Sequence, residues 1–141
     1  MSAPLRLGLA GLGTVGIGVV KIVQTQADLI AARTGRSVQI TAVSARDPQK
    51  NRDADLSGYA WETDPVALAR RADVDVFVEV MGGHDGPAKA ATEAAIAAGK
   101  DVVTANKALL AHHGQALAEA AEARGRALRF VDGPDEVHLG V

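Results

Sequence analysis

Cysteine is absent from the 141 residues. That removes disulfide frameworks and Cys-based zinc sites, predicts no metal centre, and fits a reducing, cytoplasmic setting. Aromatic residues make up only 3% of the chain. A core must therefore be assembled from Ala, Val, Leu and Ile, which suit a sheet covered by helices on both faces. No strong excess of charge exists either: the net charge is −2 and no basic patch stands out, which argues against a nucleic-acid partner. Long apolar runs are also lacking. Lys21 ends the most apolar stretch, so no bilayer span and no membrane partner are expected. Residues 1–6 have neither the basic start nor the apolar core of a signal peptide. What is there, 48% hydrophobic and 23% charged residues, is a globular composition long enough for one domain with its own core.

Residues 5–10 read as a short buried strand and residues 11–16 as a glycine-rich turn. Val15, Val19, Ile22, Val23 and Ile30 then recur at helical spacing, predicting one long helix to about Thr34 with Gly35 as its stop. Residues 38–44, rich in β-branched side chains, predict a second strand. Residues 46–63 predict a polar loop with Tyr59 and Trp61 packed beneath it. Asp64-Pro65 is an N-cap followed by proline at the first helical position, opening a short helix to Arg71 or Ala72. Residues 74–80 predict a third strand that leaves through Met81-Gly82-Gly83. An Ala-rich helix follows to Ala98 with Gly99 as its stop, then a fourth strand over 101–104. Asn106 caps a turn of helix that His113 to Arg124 continues or restarts, Gly125 ends it, and residues 128–131 predict a fifth strand.

Strands alternating with helices predict an α/β, Rossmann-type doubly wound fold, with a mostly parallel sheet of about five strands and helices on both faces. Residues 1–131 are expected to form this domain. Residues 132–141, polar and containing Gly133-Pro134, are expected to be an irregular tail.

Gly11-Leu12-Gly13-Thr14-Val15-Gly16 is a G-x-G-x-x-G motif, and it follows an apolar strand and opens a helix. That context points to dinucleotide binding. Gly11 permits the tight turn, Gly13 lets a pyrophosphate approach the backbone, and Gly16 lets helix and strand pack closely. N–H groups at the helix start then face the anion. The bland alternative is a glycine turn with no ligand. The second strand ends in Val43-Ser44-Ala45-Arg46, without the acidic residue that NAD-selective folds place there for the ribose; Asp47 comes slightly later. Arg46, assisted by Lys50, is placed to meet a 2′-phosphate, which favours NADP over NAD or allows both. The competing reading is that Arg46 and Lys50 are solvated loop cations.

Three segments carry a family resemblance: residues 11–16, Val-Glu-Val-Met-Gly-Gly at 78–83, and Val-Thr-Ala-Asn-Lys-Ala-Leu-Leu-Ala at 103–111. Together they resemble the amino-terminal part of homoserine dehydrogenases, over residues 5 to about 130. The resemblance implies an oxidoreductase of the threonine, methionine and isoleucine routes of amino-acid biosynthesis. It would interconvert aspartate 4-semialdehyde and homoserine with NADP or NAD. It implies that Leu12, Gly13, Thr14 and Val15 line the pyrophosphate site and that Gly82 and Gly83 lie near the cofactor. Thr104 and Asn106 would sit close to the nicotinamide ribose, and Lys107 would reach the nicotinamide and substrate as the catalytic residue. A cation in a first helical turn opposes the helix dipole, by roughly 0.3–1 kcal/mol, so Lys107 stands against local preference.

After Phe130 the chain departs from the family pattern. The family continues into a substrate and dimerisation region that supplies a second catalytic lysine and an aspartate, and residues 132–141 do not match it. The chain alone is therefore expected to bind cofactor while turning over slowly or not at all. Apolar surface left uncovered would favour a homodimer or association with a separate substrate domain. The alternative function is a non-catalytic NAD(P)-binding module or subunit. Glu79 reads as a polar strand terminus or an orienting group. His112 and His113 read as surface residues, and His84 and His138 have no partners in the sequence that suggest a site.

Overall fold

The computed structural model describes residues 3–83, residues 85–131 and the backbone of residues 137–139. His84, the side chain of His138 and most of the 132–141 tail thus lie outside the described residues. The elements run β1 (Leu5–Ala10), α1 (Thr14–Thr25), α2 (Ala27–Thr34), β2 (Val38–Ser44), β3 (Ala60–Glu62), α3 (Pro65–Ala69), β4 (Val76–Glu79), α4 (Pro87–Ala97), β5 (Asp101–Thr104), α5 (Lys107–Ala123), β6 (Leu128–Val131) and β7 (Val137–Leu139). One sheet of order β3-β2-β1-β4-β5-β6-β7 collects the strands. Every neighbouring pair is parallel except β6–β7.

The chain winds outward from β1 through β2 to β3, returns to the other side of β1 at β4, and winds outward again to β6. Right-handed connections in opposite directions put their helices on opposite faces. Pleat alternation sorts the core accordingly. Leu9, Val43, Val76 and Val78 face Leu12 and Val20. Ala10, Ala42, Phe77 and Val102 face Leu68 of α3, Ala91 and Ile96 of α4, and Leu109 and Leu117 of α5. The expected fold class is therefore present, with two strands beyond the expected five. β3 lies in the stretch read as loop, and β7 in the stretch read as an irregular tail. Each has three residues, too short for an alternation pattern to register. β3 becomes a strand by pairing Ala60, Trp61 and Glu62 with Ala42, Val43 and Ser44.

The single long helix expected after the glycine turn is two. Its parts are bent by 78° at Gln26, whose backbone is non-helical. Next to the bend the Thr25 hydroxyl donates back to the Lys21 carbonyl at 2.7 Å, a bond of the kind that favours helix bending. Gly35 ends α2 at φ 75°, the left-handed stop its position implied. Asp64 caps α3 through the Val66 N–H at 2.9 Å, and Asn106 caps α5 through the Leu109 N–H at 2.9 Å. Among the described residues no single helix is long and apolar enough to cross a membrane.

Candidate functional site

Doubly wound sheets bind ligands beyond the carboxyl ends of their strands, where the winding direction reverses. Here that point lies between β1 and β4, paired from Leu7–Val76 to Ala10–Glu79. A cleft of about 660 Å³ opens there, within the range of small-molecule sites. Gly11, Leu12 and Gly13 line it from the β1 turn; Ser44, Ala45, Arg46, Lys50 and Arg52 from the end of β2 and the loop after it; Val80, Met81 and Gly82 from the β4 turn.

The three glycines of the first turn answer to different constraints. Gly11 has φ 108°, and a Cβ on it would stand 2.8 Å from the Val80 carbonyl oxygen. A Cβ on Gly16 would stand 1.9 Å from the Gly11 carbonyl oxygen, so only glycine lets α1 approach its own turn. Gly13 is different: its φ of −77° is open to any residue, and a Cβ there would meet nothing within 4 Å. Nothing described in the fold requires glycine at this position, which is what a backbone kept bare for a ligand would show. Gly13 is the N-cap of α1 and provides no side-chain cap. The positive end of the helix dipole therefore opens at the cleft with no acidic residue in the first turn.

Cations gather on the β2 side. Arg46 and Lys50 line the cleft, and Arg52, which sequence reasoning missed, joins them. The Arg52 guanidinium carbon stands 5.4 Å from the Trp61 ring centroid, a cation–π distance, and Nη1 donates to the Lys50 carbonyl at 3.3 Å. Nothing in the spacing of Arg52 and Trp61 signals that pairing; β3 has to form before Trp61 arrives. Trp61 and Tyr59 also pack against the apolar cluster, as expected. Asp47 Oδ1 accepts the Gln49 N–H at 2.9 Å, and the residue is not among those lining the cleft.

The β4 side is a buried hydrogen-bond ring. Glu79 is fully buried, and its Oε2 accepts the N–H groups of Met81 at 2.7 Å and Gly82 at 3.2 Å. Its Oε1 accepts the Thr104 hydroxyl at 2.8 Å. Thr104 Oγ1 accepts the Asn106 N–H at 3.0 Å, and the Asn106 amide donates to the Gly83 carbonyl. Thr104, Asn106, Gly82 and Gly83 are thus brought together. Glu79 is the polar terminus of β4, and burial of its carboxylate is matched by filled acceptors. Thr14, Val15 and Gly16 form the first turn of α1 beyond the lining. Lys107 opens α5 next to Asn106, is exposed, and lies outside the cleft lining. His113 meets Asp85 at 3.1 Å.

Fold, bare helix start and cleft define a dinucleotide-binding α/β domain. Residues 11–131 match the family model described as homoserine dehydrogenase, NAD binding domain. The chain belongs to that family, and the NAD(P) class of cofactor follows from it. It is 42% identical to the homoserine dehydrogenase of Neisseria gonorrhoeae over 127 residues, covering 90% of this chain and 29% of the relative. With the Bacillus subtilis enzyme it shares 42% over 119 residues, 84% of this chain and 27% of the relative. A crystal structure of Staphylococcus aureus homoserine dehydrogenase superposes with a TM-score of 0.84 at 37% identity, over 92% of this chain and 32% of that one. One from Thiobacillus denitrificans superposes at 0.82 and 37% identity, over 90% and 29%. The chain therefore spans less than a third of the length of these relatives.

The residues present fit a nicotinamide dinucleotide. The bare Gly13 position gives room for a pyrophosphate against main-chain N–H groups, and the cations of the β2 loop complement further phosphate charge.

Proposed function

We propose that residues 1–131 form the nucleotide-binding part of a homoserine dehydrogenase, interconverting aspartate 4-semialdehyde and homoserine. The observation that carries the reading is the open Cβ position of Gly13 at an uncapped helix start. A bound nicotinamide supplies the hydride donor or acceptor. The chain's own task is to hold and orient it: Gly11–Gly16 at the pyrophosphate, Gly82, Gly83, Thr104 and Asn106 toward the nicotinamide ribose. Lys107 follows Asn106 at the start of α5. A lysine ammonium there is suited to stabilising negative charge on the substrate oxygen as hydride moves.

NADP is the favoured partner within this reading, with Arg46, Lys50 and Arg52 around its 2′-phosphate and no acidic side chain at the end of β2. A cytoplasmic location belongs to the same proposal, supported by the lack of cysteine. So does association with a substrate region or a second copy, supported by exposed Val15, Ile22 and Leu29.

Assaying the aldehyde with NADPH or NADH, for the chain and its Lys107→Ala variant, tests the catalytic role. Turnover is expected to fall at least about a hundredfold while cofactor affinity changes less than about threefold. Undiminished turnover removes Lys107 from the reaction. The second reading, a cofactor-binding module that takes its chemistry from a separate substrate region, is favoured by Lys107 standing outside the cleft lining. Nucleotide binding without turnover in the isolated chain, with turnover regained on adding that region, selects it.

A further inference from the structure

Glu79 is the one fully buried charged side chain among the described residues, and it ends a central strand at the point where the sheet reverses. A carboxylate there is no natural contribution to stability, because well-packed apolar replacements of buried ionic groups are often neutral or better. Its hydrogen bonds say what it holds. Two of the three go to the N–H groups of Met81 and Gly82. That turn contains two successive glycines of positive φ, Gly82 at 85° and Gly83 at 83°, a backbone with little preference of its own. The third bond is to Thr104, whose oxygen already accepts the Asn106 N–H and so keeps its proton for Glu79. Asn106 closes the ring on the Gly83 carbonyl and caps α5. One carboxylate therefore ties the β4 turn and the start of α5 into a single unit. In a doubly wound sheet the end of β2 takes the adenosine ribose; β4 and β5 lie across the switch point and face the other half of the ligand.

We infer that Glu79 is a positioning residue for the nicotinamide half of the dinucleotide, holding the Met81–Gly82–Gly83 turn and the α5 start in register with each other. The inference rests on the dinucleotide reading above. Glu79→Gln keeps the shape but leaves one acceptor oxygen for three donors; an amide turned to Thr104 can only reverse that bond, donating to an oxygen that already accepts the Asn106 N–H.

The test is titration of the wild type and Glu79→Gln with NADPH and with ADP, which carries only the adenosine and pyrophosphate half. NADPH affinity is expected to fall about tenfold and ADP affinity to change less than about twofold. Equal losses for both ligands would show general damage, and an unchanged NADPH affinity would show no role; either overturns the inference. Should Glu79→Gln fail to fold, Thr104→Val decides. It keeps the carboxylate on the turn but cuts the link to α5, and is expected to weaken NADPH about threefold with ADP unchanged; no such split overturns the inference. A wild type that binds ADP and NADPH while the variants show no split removes only the role of Glu79. A wild type that binds neither nucleotide removes the dinucleotide reading and this inference together.

Discussion

Two glycine-bearing turns leave the sheet at its switch point, and they are held in opposite ways. The turn after β1 is fixed by close backbone packing: Gly11 lies against Val80, and Gly16 against the Gly11 carbonyl. The turn after β4 is fixed by side chains, with Glu79 on its N–H groups and Asn106 on the Gly83 carbonyl. A turn held by packing has to write its constraint into its own residues, because only glycine fits. A turn held by side chains borrows them from elsewhere in the chain, here from a strand end and from the next strand's exit 25 residues on.

The comparison is broken most severely at Gly16. Gly16→Ala places a methyl against backbone that cannot give way, and a loss of about 3 kcal/mol in urea denaturation is expected. A change under about 1 kcal/mol would mean that α1 can shift without penalty.

Gly13→Ala sharpens the contrast within the same motif. Stability should stay within about 1 kcal/mol of the wild type, since the added methyl meets open space. NADPH affinity should fall about tenfold or more. Intact affinity in a folded variant would mean that the ligand does not rest on this turn.

Arg46→Ala and Arg52→Ala probe the β2 side, where loop cations replace both kinds of constraint. Each is expected to weaken NADPH about tenfold and NADH less than about twofold, the scale of a charge-assisted contact to a 2′-phosphate. Equal loss for the two nucleotides would discard that role.

The smallest effect lies at the other end of the sheet. Arg6 donates to Asp75 from Nε at 3.1 Å and Nη2 at 3.0 Å, and these bonds hold the Asp75 carboxyl below the ordinary aspartate range. Arg71 does the same for Asp73. A depressed folded pKa contributes stability that is present above the ordinary aspartate value and is lost as pH falls through the folded one. Asp75→Asn should therefore lower Tm slightly at neutral pH and lose that difference in strong acid. A gap that persists at low pH would place the effect in packing.

This difference also marks what the sequence could disclose. G-x-G-x-x-G, the Asp64 and Asn106 caps and the stops at Gly35, Gly99 and Gly125 are local rules, and the structure follows them. Strand alternation with helices carried the doubly wound order. The bend at Gln26 was hidden because apolar spacing continues across it, from Ile22 and Val23 to Ile30. β3 and β7 were hidden because three residues become strands only when a neighbour's edge is present. Arg52 and the role of Glu79 depend on partners, Trp61 and Thr104, that the fold alone brings within reach.

The most direct measurement is fluorescence titration of the purified chain with NADPH and NADH, alongside Gly13→Ala. Saturable binding to the wild type, tighter for NADPH and weakened about tenfold by the added methyl, is the predicted result. A folded chain that takes up neither nucleotide, or one whose binding ignores the methyl, contradicts the assignment of the bare amides at Gly13 to a dinucleotide.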